Sequence, residues 1–160
     1  MHKLDQIDLD ILAALQEDGR ITNVALAKRV GLSPTPCLER VKALEARGLI
    51  RGYSARLAPA ALGLGLTVFV QITLERTSQS VFEAFRQAVL AIPEIQECHM
   101  VAGGYDYLLK VRVPDMAAYR HFLGAVLSGV PGIRETHTYP VMEEVKESDV
   151  VPLDHLQAKA

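Results

Sequence analysis

One eight-residue pattern occurs twice and constrains the fold more than anything else in the chain. Ile92-Pro93-Glu94-Ile95-Gln96-Glu97-Cys98-His99 matches Val130-Pro131-Gly132-Ile133-Arg134-Glu135-Thr136-His137 at an offset of 38 residues. Each copy follows an amphipathic helical run, Val81, Phe82, Phe85 and Val89 before the first, Tyr119, Phe122, Leu123 and Val126 before the second. Ahead of each run lies a period-two stretch, Leu66, Val68, Val70, Ile72, Leu74 and then Tyr107, Leu109, Val111, Val113, which predicts a strand with one buried face. Two such strand-helix-strand units in succession give the split, ferredoxin-like βαββαβ arrangement over residues 66–146. In that topology the second and fourth strands are sheet edges. Exposed edges invite pairing with another chain, so a homodimer is expected.

Residues 1–52 follow a different period, and the chain as a whole reads as α+β. Leu4, Ile7, Ile11, Leu12 and Leu15 share a helical face, with Asp5 as N-cap and Gly19 as the stop, predicting a helix over about 6–18. Thr22 caps a second, shorter helix with Val24, Leu26, Ala27 and Val30 inward, and Gly31 ends it. Ser33 caps a third helix. Pro34 takes its first position, where a missing N–H costs no internal bond, whereas Pro36 predicts an irregular start by pushing Thr35 away from helical geometry. Leu38, Val41 and Leu44 point inward, and Arg47-Gly48 closes the element. Two helices joined by a three-residue turn with glycine form a helix-turn-helix, whose second helix fits the DNA major groove. Ile50–Leu57 predicts a strand or wing, residues 53–65 a hinge and linker, and residues 147–160 a partly disordered tail.

Charge separates the two halves. The whole chain carries a net −2, which argues against a polyanion binder, yet Arg20 to Arg56 holds eight bases against two acids, a local +6. Such asymmetry points to an anion-binding module joined to a module with another task. Lys28, Arg29, Arg40, Lys42, Arg47 and Arg51 are suited to neutralise phosphates, and Ser33, Thr35, Glu39 and Arg40 are suited to meet base edges. The rival reading is a helical module that docks on a protein.

The loop Gly103-Gly104-Tyr105-Asp106 joins the second and third strands of the repeat. Its simplest account is a hairpin in which the glycines take positive φ. The alternative is a ligand loop, with two unshielded backbone amides and Asp106 to receive an ammonium. His99 and His137 occupy matching positions on opposite edge strands, roughly 14 Å apart at about 4.8 Å per strand, too far to share one ion. No metal, cofactor or catalytic constellation is expected, although an enzyme built on the ferredoxin-like half is the other rival. Cys37 and Cys98 lack any C-x-x-C spacing and read as reduced packing residues. Leu57–Leu74 is free of charge but broken by Pro59, Gly63 and Gly65, and Met1-His2-Lys3-Leu4-Asp5 does not begin a secretory signal, so a cytoplasmic protein without a membrane span is expected.

Several motifs taken in order resemble one family. They are Leu4-Asp5-Gln6-Ile7-Asp8, Asp18-Gly19-Arg20-Ile21, Val30-Gly31-Leu32-Ser33-Pro34, Arg40-Val41, Gly48-Leu49-Ile50-Arg51-Gly52-Tyr53 and Gly103-Gly104-Tyr105-Asp106-Tyr107-Leu108-Leu109. Over about Leu4 to Lys146 the chain resembles the Lrp/AsnC transcription regulators of bacteria and archaea. The resemblance implies an N-terminal winged helix-turn-helix that binds double-stranded DNA and a C-terminal ferredoxin-like ligand-sensing domain that dimerises and often builds octamers. It also implies control of amino-acid metabolism genes in response to leucine or a related amino acid, held between subunits. Carried onto this sequence, the effector site is Gly103, Gly104, Tyr105 and Asp106 with Met116, Tyr139 and Val141.

Overall fold

The computed structural model describes residues 4–157, so the first three residues, read above for a leader, and the last three of the tail lie outside it. The chain forms two compact units. One comprises the chain up to Arg56 together with the segment from Glu147 onward, and the other is Leu57–Lys146.

The first unit contains α1 (Gln6–Glu17), α2 (Asn23–Arg29) and α3 (Pro34–Ala46). Asp5 caps α1 in a reciprocal box: its Oδ1 accepts the Asp8 N–H at 2.9 Å, and its own N–H donates to the Asp8 carboxylate at 3.4 Å. Thr22 Oγ1 accepts the Ala25 N–H at 3.2 Å and starts α2. Ser33 stands at the N-cap of α3 but makes no side-chain cap bond. The predicted irregularity at Pro36 is absent, because Pro34 and Pro36 fall among the first positions of α3, whose amide nitrogens have no partner inside a helix. Ile11, Ala14, Leu26, Ala27, Cys37 and Leu44 form the core. Val24, predicted inward, is 67% exposed, and Leu38 is exposed as well. Helical phase explains both: Val24 lies about 200° around α2 from Leu26, and Leu38 about 100° around α3 from Cys37.

Ile50–Leu57 forms no strand. A strand exists only as part of a ladder, and the described residues of this unit offer none beside it. The tail departs from its expected disorder. The Gln16 side chain donates from Nε2 to the Val151 carbonyl at 3.1 Å and accepts the Val151 N–H at 2.7 Å, and α6 (Asp154–Gln157) follows.

The second unit runs β1 (Leu66–Leu74), α4 (Gln79–Leu90), β2 (Ile95–Met100), β3 (Tyr107–Val113), α5 (Met116–His121) and β4 (Ile133–Pro140). After α5 the helical path continues through a π turn (Phe122–Val126) and a 3-10 turn (Leu127–Gly129). The sheet is antiparallel with order β2-β3-β1-β4, which makes β2 and β4 the edges, as the repeat predicts. One face packs Val68, Val70, Ile72, Leu109 and Val111 against Phe85 of α4 and Tyr119 and Phe122 of the second helical run. Cys98 lies exposed on β2, so only Cys37 is the packing residue expected of both. Among the described residues no helix is long and apolar enough to cross a membrane.

Candidate DNA-binding face and effector loop

The burial of α3 fixes which residues it presents. Cys37 and Leu44 are buried and Arg40 and Val41 half-buried, so the opposite side carries Thr35, Glu39, Lys42 and Ala46, all exposed. Glu39 and Lys42 pair across 3.1 Å on that side. Asn23 Nδ2 donates to the Pro34 carbonyl at 2.8 Å and pins the start of α3 to the start of α2. Ser33 is exposed at the head of α3, Lys28 near the end of α2, Arg47 just past α3 and Arg51 in the irregular segment beyond. Arg29, also assigned above to phosphate, pairs with Glu17 of α1 at the surface.

Arg40, assigned above to DNA, is half-buried on the flank of α3 that faces α1. Its Nη1 donates to Asp5 Oδ2 and Oδ1 at 2.7 and 2.9 Å and to Asp8 Oδ1 at 2.7 Å. The Asp8 side chain is 12% exposed and that of Arg40 33%, which makes this a partly desolvated bridge between α3 and the capping box of α1. The Asp8 backbone N–H, and after it the Arg40 guanidinium, hold the Asp5 carboxyl below the usual carboxylate range. Asp5 was legible in the sequence as a cap. Neither it nor Asp8 was legible as the partner of a residue more than thirty positions away.

Asp106 is also occupied. Its Oδ2 accepts the Leu74 N–H at 2.7 Å, its N–H donates to the Ile72 carbonyl at 2.9 Å, and its carbonyl accepts the Val101 N–H at 3.0 Å. The β1–β3 ladder ends at Ile72 and Tyr107, so the carboxylate serves Leu74 where β3 has run out. The expected hairpin geometry of the glycines is not found: neither Gly103 nor Gly104 has positive φ, and a Cβ on either would meet nothing within 4 Å. Among the described residues nothing requires glycine there.

The seven residues assigned to the effector form two groups within one chain. Gly103, Gly104, Tyr105 and Asp106 lie at the end of the sheet where β1 reaches Thr73. Val141 donates its N–H to the Thr67 carbonyl at 2.9 Å, at the opposite end of β1, and Tyr139 pairs with Phe69 near it. The stretch from Thr67 to Thr73 corresponds to roughly 20 Å of strand. Met116 opens α5 on the helix-covered side, beyond the end of β3 that pairs with Leu66. Tyr139 Oη donates to Gln71 Oε1 at 3.2 Å on the other face.

Sequence reasoning missed a polar cluster near the same end as Val141, in which Arg112 and Thr67 are buried and Gln96 and Glu144 exposed. Arg112, with 6% of its side chain exposed, donates from Nη2 to Glu144 Oε1 at 3.0 Å and from Nε to Gln96 Oε1 at 3.1 Å, and Thr67 Oγ1 donates to Glu144 at 2.7 Å. The hydroxyl of Thr67 and then the charge of Arg112 lower the Glu144 pKa. A charged residue within the period-two pattern of β3 was the available signal. His99 and His137 lie on opposite edge strands, and among the described residues no three histidine, cysteine or acidic side chains converge on a metal position.

Comparison with known proteins agrees with this architecture. Residues 4–51 match the winged helix-turn-helix DNA-binding family, and residues 67–151 match the Lrp/AsnC ligand binding domain. The chain belongs to the Lrp/AsnC family of transcriptional regulators. It is 61% identical over 146 residues to the leucine-responsive regulatory proteins of Klebsiella pneumoniae and Escherichia coli K12, covering 91% of this chain and 89% of each relative. Among solved structures, the transcriptional regulator/L-Met complex from Neisseria meningitidis superposes with a TM-score of 0.91 at 40% identity, covering 96% of this chain and 99% of that one. The AsnC family regulator from Agrobacterium tumefaciens gives 0.90 at 38% identity, over 95% and 99%.

Proposed function

We propose that this chain is a cytoplasmic transcriptional regulator that grips double-stranded DNA with α3 and changes that grip when its second unit binds leucine or a related amino acid. The observation that carries the reading is the union, in one chain, of a +6 helix-turn-helix window with a separate ligand-binding sheet. Thr35, Glu39 and Lys42 read the groove, Ser33 meets the DNA at the head of α3, and Lys28, Arg47 and Arg51 neutralise phosphates. The protein acts by binding alone, without a catalytic step, on genes of amino-acid metabolism.

The working form is a homodimer that assembles further, to an octamer. Two features support this. The sheet ends in two edge strands, and the seven effector residues lie at opposite ends of a single sheet. A site that uses Gly103, Gly104, Tyr105 and Asp106 together with Met116, Tyr139 and Val141 must draw the two groups from different subunits. The names of the relatives support an amino-acid effector, one being leucine-responsive and another a complex with L-Met.

A thermal-shift screen of the standard amino acids, followed by mass measurement with and without the hit, tests the reading. It expects at least one aliphatic or thioether amino acid to raise Tm and a mass of a dimer or a multiple of it. A monomer that no amino acid stabilises would reject it, and protein capture by the helical unit without duplex binding would favour the protein-docking alternative.

A further inference from the structure

We propose that Arg40 is a positioning residue for DNA recognition, which sets the pose of α3 on the duplex by bridging to Asp5 and Asp8 of α1 and touches no DNA itself. The inference rests on the DNA-binding reading and deepens it. On charge alone Arg40 belongs with the phosphate contacts, since it sits in the helix that enters the groove. Its geometry says otherwise. One guanidinium nitrogen reaches three carboxylate oxygens within 2.9 Å, and both carboxylates already belong to the cap that begins α1.

The bridge has a mechanical meaning. Cys37, Val41 and Leu44 hold α3 by apolar contact, which resists separation but only weakly resists rolling or sliding. Directional bonds supply that resistance, and those that tie α3 to the other two helices lie at different heights: Asn23 to the Pro34 carbonyl at its start, and Arg40 nearly two turns further on, while Tyr53 bonds Glu45 near its end. Arg40 lies on the inward flank, about 100° from Glu39 on the helix wheel, so the bridge turns Thr35, Glu39 and Lys42 outward together. Arginine suits the task because its rigid, planar guanidinium fixes the direction in which Nη1 points its two N–H bonds at the carboxylates, whereas an ammonium is a freely rotating point charge on a flexible stem.

Salt dependence separates positioning from contact. A residue that neutralises one phosphate contributes about −0.9 to the slope of log affinity against log salt concentration, and a positioning residue contributes nothing to it. The probes are a duplex selected from a random pool by the wild-type protein and a scrambled duplex of the same composition. The variants are Arg40→Ala, Arg40→Lys and Asp8→Ala, each measured well below its own Tm. All three are expected to lose about tenfold in affinity for the selected duplex, the cost of one spoiled base contact, with the scrambled duplex and the salt slope unchanged. Asp8→Ala is the sharpest arm, because removing an acid from a DNA-binding unit otherwise tightens binding. The double variant Arg40→Ala/Asp8→Ala should be no weaker than Arg40→Ala.

A slope reduced by about 0.9 in Arg40→Ala and restored in Arg40→Lys would mean a phosphate contact and overturn the proposal. A lowered Tm with an unchanged ratio of selected to scrambled affinity would mean a merely structural bridge and overturn it too. If the wild-type protein enriches no duplex, the DNA-binding reading falls and takes this role with it.

Discussion

Replacing Asp106 with alanine should weaken the second unit itself, whatever it does to ligand response. Leu74 is 3% exposed, and its N–H points at the Asp106 carboxylate 2.7 Å away. The β1–β3 ladder has ended two residues earlier, at Ile72, so no strand carbonyl of β3 is there to take over. A hydrogen bond to a charged group contributes about 1.5–3 kcal/mol, and a buried donor left unsatisfied costs about 1–3 kcal/mol, so a loss of about 2 kcal/mol is expected. For a unit of about 90 residues that corresponds to a fall in Tm of roughly 8–16 °C. Asp106→Asn keeps an oxygen acceptor and loses the charge, so roughly half of that fall should remain. Scanning calorimetry on the full chain reads the first quantity, and hydrogen exchange at the Leu74 amide reads the second. Unchanged Tm together with undiminished Leu74 protection in Asp106→Ala would refute the anchoring argument and return Asp106 to the ligand alone.

Two glycine positions should respond in opposite ways. Gly132 has φ +80° and a Cβ there would stand 2.8 Å from Val81 Cγ1, so Gly132→Ala should cost about 2 kcal/mol by calorimetry. Gly104→Ala should leave the stability within about 0.5 kcal/mol of wild type and weaken the amino-acid response, which ligand titration measures. Acid should unfold both units by a shared route: Asp5 and Glu144 are held below the ordinary carboxylate range, so their stabilisation is complete above about pH 4.5 and is lost as pH falls through their lowered values. Calorimetry from pH 7 to pH 3 should therefore show Glu144→Gln losing less Tm across the acid range than wild type does.

The architecture was legible where it depends on period and on chain-local chemistry. The repeated Ile-Pro and Val-Pro segments, each behind a helical run, fixed the strand order and the edges, and Asp5, Thr22 and Pro34 marked the helix starts. What escaped depends on partners far apart in sequence. Arg40 has the same formula for a phosphate as for a carboxylate, and only the packing of α3 on α1 brings Asp5 and Asp8 to it. Asp106 likewise suits an ammonium or an amide, and only the place where β3 ends shows that the Leu74 amide is a partner. The strand over Ile50–Leu57 did not form for the complementary reason, since a favourable sequence forms no strand without a neighbour, although the winged helix-turn-helix family itself is matched. Motif order located the family well. Motif order carries no distances, so it could not show that one sheet holds the assigned effector residues at its two ends.

The most direct test couples the two units in one titration. Affinity for the selected duplex is measured with and without the amino acid that stabilises the protein, and affinity for that amino acid with and without the duplex. Linkage requires both ratios to be equal, and a regulator of this kind should show a common factor of about 5–150. Equal affinities in every arm, with both ligands bound, would contradict the account: the chain would hold DNA and amino acid without either sensing the other.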